Sequence, residues 1–201
     1  PNNEILKTVQ AHFPIFALEA NPIDQYSLLA VSYSELYVYT LPEMNQICSI
    51  SPDTNLDKSL IISGAHWLRE DVYHVVVMTP RKIVVYNVID DPENPVASYE
   101  APKGDSISSF ALIESDEVFC IACASNQKIL VYKKGVGQPA QIISDFCGGP
   151  PLCVSYSHES DICFISRCDG CLYACRINDL LHNAKFVSTH SFALPNEYLF
   201  R

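Results

Sequence analysis

LLAVSYSELYVY, residues 28–39, is written again as VVVMTPRKIVVY at 75–86 and as CIACASNQKILVY at 120–132. Each copy is an apolar run, a polar break (SE, PRK or NQK) and a second apolar run, the pattern of two strands joined by a tight turn. A looser fourth copy, CFISRCDGCLYAC at 163–175, places Asp169 and Gly170 at the break, a dipeptide suited to a hairpin. The copies end at Tyr39, Tyr86, Tyr132 and Cys175, which are 47, 46 and 43 residues apart. That period is at or just beyond one four-stranded propeller blade.

Working outward, a short apolar stretch with small residues precedes each pair: PIFAL around Ala17, SGAHWL around Ala65, SSFAL around Ala111 and PLCVSY around Val154. Small residues suit an innermost strand, where blades crowd the central channel. Each pair is followed by a loop and a fourth segment: NQICSIS, PVASYEA, AQIISDF and KFVSTHSF. The chain therefore reads as all-β, with four four-stranded antiparallel blades. A helical period appears only as a single turn near INDLLHN, residues 177–183. The boundaries expected are 13–51, 52–101, 102–146 and 147–192 for the four blades, with 1–12 as the outer strand of a preceding blade and 193–201 as the start of a following segment. Four blades with loose ends point to part of a larger ring of about seven, completed by other sequence or another chain, because an open ring leaves strand edges and blade faces uncovered. A self-contained four-bladed ring is the alternative.

The opening ILKTVQAHFPIFALEANP, residues 5–22, resembles the junction of a WD-repeat protein, where an outer strand leads through a histidine-bearing loop into the next inner strand. His12 stands at that place, and the resemblance implies a buried network of the histidine with Ser, Asp and a strand-ending Trp-Asp pair. Here that pair is replaced by Val38 and Tyr39, Val85 and Tyr86, Val131 and Tyr132, and Ala174 and Cys175. The rhythm of a WD-like β-propeller extends over nearly the whole chain; the family's dipeptide does not.

Composition narrows the function. With 48% hydrophobic and 18% charged residues, the 201-residue chain can bury a substantial core. Its 13 Lys and Arg against 23 Asp and Glu give a formal charge of -10, which disfavours phosphate backbones and anionic lipid as general partners. No window approaches the roughly 20 apolar residues of a membrane span. The nine cysteines, many inside apolar runs such as FCIACA and ICFISR, behave as small buried hydrophobes and fit a reducing intracellular compartment, cytoplasmic or nuclear.

In a blade, the turns after the first and third strands share one face. That face collects Asp24, Glu43, Glu70, Asp71, Asp90, Asp91, Glu93, Glu114, Asp116, Glu117, Glu159, Asp161 and Asp179, opposed mainly by Arg69, Lys133 and Lys134. Two readings stand: acidic turns that keep a repeat protein soluble, or a docking face for a basic segment of a partner, where complementarity raises association rate and selects the partner. Cys168, Cys171 and Cys175, with Cys147, Cys153, Cys163 and His158, offer a CxxC spacing. However, Cys171 and Cys175, four apart on one strand, are separated by about 13 Å and cannot share a tetrahedral zinc. Core and surface thiols are the expectation there, with zinc and a regulatory disulfide as alternatives. His66 and Trp67 read as structural residues near an inner strand. No GxSxG, GxxxxGK, GxGxxG or sialidase-type motif occurs, so no catalytic residue, cofactor or metal ligand is assigned.

The function expected is a non-catalytic scaffold that holds protein partners in a larger assembly. A phosphoinositide-binding propeller is one alternative, although the paired arginine and glycine which that family needs are missing. A propeller enzyme is the other, against which the inner strands offer Ala, Phe, Cys and Ser where a catalytic channel wants carboxylates or histidines.

Overall fold

The computed structural model describes residues 7–52, 61–144 and 150–182. Four antiparallel sheets follow one another along the chain, each built from consecutive strands. The first is β1 (Ile15–Ala20), β2 (Ser27–Ser32), β3 (Leu36–Thr40) and β4 (Asn45–Ile50), and the second is β5 (Gly64–Trp67), β6 (His74–Met78), β7 (Lys82–Asn87) and β8 (Asp91–Glu100). The third is β9 (Ile107–Leu112), β10 (Cys120–Ala124), β11 (Lys128–Tyr132) and β12 (Gln141–Ile143), and the last is β13 (Pro151–Ser157), β14 (Ile162–Arg167) and β15 (Leu172–Arg176). One helical turn, α1 (Ile177–His182), follows. These are the up-and-down sheets of propeller blades, and every strand read from the repeat within the described residues is present. KFVSTHSF, read as the fourth strand of the last sheet, lies outside the described residues. Residues 7–12 carry no strand, and His12 is exposed, unlike the buried histidine that the WD resemblance implied.

The repeated hairpins are the middle of each sheet. Leu29 faces Val38, Val76 faces Val85, Ala122 faces Leu130 and Phe164 faces Ala174. Val and Ile in such runs favour the extended backbone, and runs without polar interruption are buried on both sides. The turns reuse one device. At the end of β2, the Ser32 hydroxyl accepts the amides of Ser34 and Glu35 at 3.3 and 3.1 Å, and after β6 the Thr79 hydroxyl accepts those of Arg81 and Lys82 at 3.4 and 3.2 Å. In the third sheet the buried Asp105 takes this role from a distance, accepting Lys128 Nζ at 3.0 Å and the Asn126 side-chain amide. In the last sheet, Gly170 adopts φ 82°, as the Asp-Gly turn required.

The chain divides into two compact units at Ser98 and Tyr99. In the first, Leu29, Val31, Leu36 and Val38 of one sheet pack with Ala65, Trp67, Val75, Val77, Val84 and Tyr86 of the next. In the second, Ile121, Cys123, Ile129 and Val131 of the third sheet pack with Val154, Cys163 and Ile165 of the last, and α1 adds Ile177 and Leu180. Tyr99 stacks on Phe119 at 4.8 Å and meets Tyr132 edge-on at 5.7 Å, on the other side of the third sheet.

Candidate partner-docking site

Within the first unit, a cleft of about 440 Å³ opens where the turns of the first two sheets meet. Asp24, Tyr26, Ser27, Val38, Thr40, Ile47, Trp67, Val72, Tyr73, Val88 and Ile89 line it. Tyr26, Tyr73 and Ile89 are 59%, 53% and 50% exposed, so large apolar side chains stand at the mouth of a mostly apolar cleft instead of being folded away. Its volume lies in the range of a site for a small ligand or a few side chains.

The local sequence makes this rim stiff. In NPIDQYS, the Asn21 side-chain oxygen Oδ1 accepts the amides of Ile23 and Asp24, both at 2.9 Å, and the Asp24 carboxylate accepts the Tyr26 amide at 3.0 Å and the Ser27 hydroxyl at 2.6 Å. The Asn21 amide reaches across to the Val72 carbonyl at 3.0 Å, joining the turns of the two sheets. On the other wall, Asp71 accepts the Tyr73 amide at 2.9 Å, and Asn87 accepts the amides of Ile89 and Asp90, both at 2.9 Å. Trp67 forms the floor and is 2% exposed. Its indole N–H donates to the Glu19 carbonyl at 3.2 Å and its amide to the Glu19 carboxylate at 3.3 Å, while His66 Nδ1 lies 2.7 Å from that carboxylate. His66 and Trp67 share Glu19 as a partner, which was invisible in the sequence because it lies 47 positions from His66.

The charge beside the cleft is fixed. Hydrogen bonds from the Ser27 hydroxyl, then the Tyr26 amide, hold the Asp24 carboxyl below its ordinary range. Burial of Asp71 works the other way but is outweighed by the neighbouring His74 imidazole and the Tyr73 amide, so its carboxyl is also lowered. His74 Nδ1 lies 2.8 Å from Asp71 Oδ2 without hydrogen-bond alignment.

Ten of the acids singled out in the sequence fall into two groups. In the first unit, Glu70 and Asp71 stand in the β5–β6 turn, and Asp90, Asp91 and Glu93 occupy the β7–β8 turn and the start of β8. In the second, Glu114, Asp116 and Glu117 stand in the β9–β10 turn, and Glu159 and Asp161 in the β13–β14 turn. Several spend their oxygens on the turn itself. Asp90 accepts the Asn87 side-chain amide at 2.9 Å, Asp91 the Asn94 amide at 3.1 Å, and Asp161 the Tyr156 hydroxyl at 2.7 Å. The Asn94 side chain, then its backbone amide, lowers the Asp91 carboxyl. The sequence placed these acids in turns; their bonding roles follow from the turn geometry. The exposed Tyr26, Tyr73 and Ile89 carried no signal of their own, since an apolar residue in a strand or turn reads as core.

A smaller cleft of about 220 Å³ in the second unit is lined by Glu117, Val118, Val131, Lys133, Ala140, Gln141, Leu181 and His182, and Gln141 donates to the Leu181 carbonyl across it at 3.0 Å. Of the cysteines around the last hairpin, Cys168 is exposed and Cys171 and Cys175 are half-buried, and Cys147 lies outside the described residues. Among the described residues, no three His, Cys, Asp or Glu side chains converge as a metal site. Nor is any helix among them long and apolar enough to cross a membrane.

Fold and cleft together define a chain of β-propeller-type blades with an apolar, acid-flanked cleft between the first two. No protein-family model matches the chain. It is similar to a probable E3 ubiquitin-protein ligase of Dictyostelium discoideum, with 22% identity over 195 residues. The similarity covers 90% of this chain and 3% of that protein's length.

Proposed function

We propose that the chain is a non-catalytic protein-docking portion of a larger intracellular propeller, of about seven blades, completed by further sequence or another chain. The cleft between the first two sheets carries this reading. It offers an apolar socket on a stiff frame, and stiffness reduces the ordering cost of binding. Exposed tyrosines are favoured anchors at protein interfaces, and Asp24, Asp71 and Asp90 select a partner segment in which an apolar side chain is flanked by Lys or Arg.

Selection from a random peptide library on the immobilised chain tests this. Recovered peptides should share an apolar anchor with adjacent basic residues, lose affinity about tenfold or more with Tyr73→Ser and Ile89→Ser combined, and bind more weakly as salt rises. Peptides without basic flanks, or binding indifferent to that double substitution, would sink the reading.

The distant likeness to a probable ubiquitin ligase favours a more particular version, in which the docked segment belongs to a protein that another part of a longer polypeptide modifies with ubiquitin. Ubiquitin transfer by the full-length polypeptide to a protein bearing the selected peptide is the measurement. Without transfer the particular version falls and the docking reading remains.

A further inference from the structure

In the last sheet, Cys163 of β14 stands directly opposite Cys175 of β15 in the antiparallel register. Directly opposed residues point to the same face, with Cα atoms about 4.5 to 5.5 Å apart. That separation is inside the window in which a disulfide closes without moving the backbone. The two side chains share the interior side of the sheet: Cys163 is fully buried, and Cys175 is half-buried against the same cluster. We infer that Cys163 and Cys175 form a redox modification site, at which a hydroperoxide-class oxidant converts the two thiols into a reversible cross-strand disulfide.

The environment assigns the roles. The Cys163 thiol, by hydrogen bonding, holds Cys175 below the ordinary thiol range against the opposing effects of burial and Asp179. Cys163 itself is pushed up, first by that bond and then by burial. Cys175, the more accessible of the two, is the nucleophile. Its thiolate attacks one peroxide oxygen, the O–O bond breaks, and the departing hydroxide leaves as water after taking up a proton, so Cys175 becomes a sulfenic acid and the peroxide is reduced by two electrons. Cys163 then attacks the Cys175 sulfur. Its proton leaves with the sulfenic hydroxyl as a second water, and the S–S bond forms. The other thiols of this unit are placed differently. Among the described residues, Cys153 faces Ser166, Cys168 and Cys171 lie in the hairpin turn outside the β14–β15 register, and Cys120 and Cys123 are enclosed in β10. The bond would tie β15 to β14, the last two strands of the described sheet. This inference concerns the second unit and is independent of the docking reading.

Treatment of the full chain with hydrogen peroxide, blocking of free thiols and digestion without reduction test it. Chymotryptic cleavage after Tyr156, Phe164 and Tyr173 separates Cys163 and Cys175 from the other cysteines. The expected product is a linked pair of peptides, two hydrogens lighter than their sum and parted by dithiothreitol. The oxidised chain should also melt at least about 4 °C higher. In Cys163→Ser, Cys175 should instead accumulate as a sulfenic acid trapped by a cyclic dicarbonyl probe. Peroxide products linked through Cys168 or Cys171, or sulfinic acid at Cys175 without the linked pair, would overturn the inference. The wild-type peptide map decides even where the variant folds poorly.

Discussion

The third and last sheets carry the same repeat and treat it differently. In β10, Cys120–Ala124 is buried at every residue. In β14, only Cys163, Ile165 and Arg167 are buried, and Ile162, Phe164 and Ser166 between them are half-exposed. One side of the third sheet meets the last sheet, and on the other side Tyr132 is buried against Tyr99, which also stacks on Phe119. Among the described residues, the last sheet buries one side of β14. A blade's repeat is thus the same local instruction everywhere, and its burial depends on what covers each side of the sheet.

The largest effect expected comes from breaking the two-sided sheet. Tyr132 is fully buried, and its hydroxyl donates to the Glu100 carbonyl at 3.0 Å. Tyr132→Asp removes that ring and buries an unpaired carboxylate, which should cost more than about 4 kcal/mol and unfold the second unit. Tyr86→Asp, inside the joint core of the first two sheets, should do the same to the first unit. Phe164→Asp, on the open side of the last sheet, should cost only about 1 to 2 kcal/mol. Urea denaturation of the three variants reads the difference. If Phe164→Asp is as damaging as Tyr132→Asp in the 201-residue chain, the open side of β14 is covered in solution, and the contrast between the sheets disappears.

A smaller effect separates the two hairpin ion pairs. In the third sheet the carboxylate is the buried member: the Asp105 side chain is 2% exposed, against 29% for Lys128. In the last sheet the cation is: Arg167 is 3% exposed, against 34% for Asp169. Lys128→Met leaves a buried carboxylate short of its cation and should cost about 2 kcal/mol. Asp169→Asn keeps a hydrogen-bond acceptor beside Arg167, whose guanidinium also touches the Tyr173 hydroxyl, and should cost under about 1 kcal/mol. Equal costs in thermal melts would show that burial does not rank these pairs.

The strands were legible because their period and chemistry agree: β-branched runs, polar breaks and a spacing of one blade were all visible in residues 28–39 and their copies. The acids of the rim were legible as positions but not as roles, since turn bonding such as that of Asp91 with Asn94 depends on backbone geometry. The docking cleft was not legible. It joins Tyr26 to Tyr73 and Ile89, from two sheets, and nothing in the chain marks which apolar residues a fold will leave exposed. The same holds for Cys163 and Cys175. The sequence placed both in strands, but that they face each other follows only from a register set by the length of the hairpin.

The smallest effect is one of pH, and it too separates the sheets. In the third sheet, burial first and the neighbouring Cys153 second push the Cys123 thiol up to about 12 from an ordinary 9.0, and burial raises Cys120 as well. A raised thiol contributes stability that is fully present below the ordinary value. Above it the unfolded chain gives up a proton that the folded chain keeps, so the contribution drains away as pH climbs from about 9 towards about 12. In the last sheet the shifts of Cys163 and Cys175 have opposite signs and oppose each other. Urea midpoints between about pH 8 and 11 should therefore fall with pH under reducing conditions, by at most about 1.4 kcal/mol per pH unit for each thiol concerned. Cys123→Ala should flatten that fall even though it lowers stability at neutral pH, and Cys153→Ala, at an exposed position, should leave it nearly unchanged. A Cys123→Ala slope as steep as that of the wild type would mean that the Cys123 thiol does not govern alkaline stability.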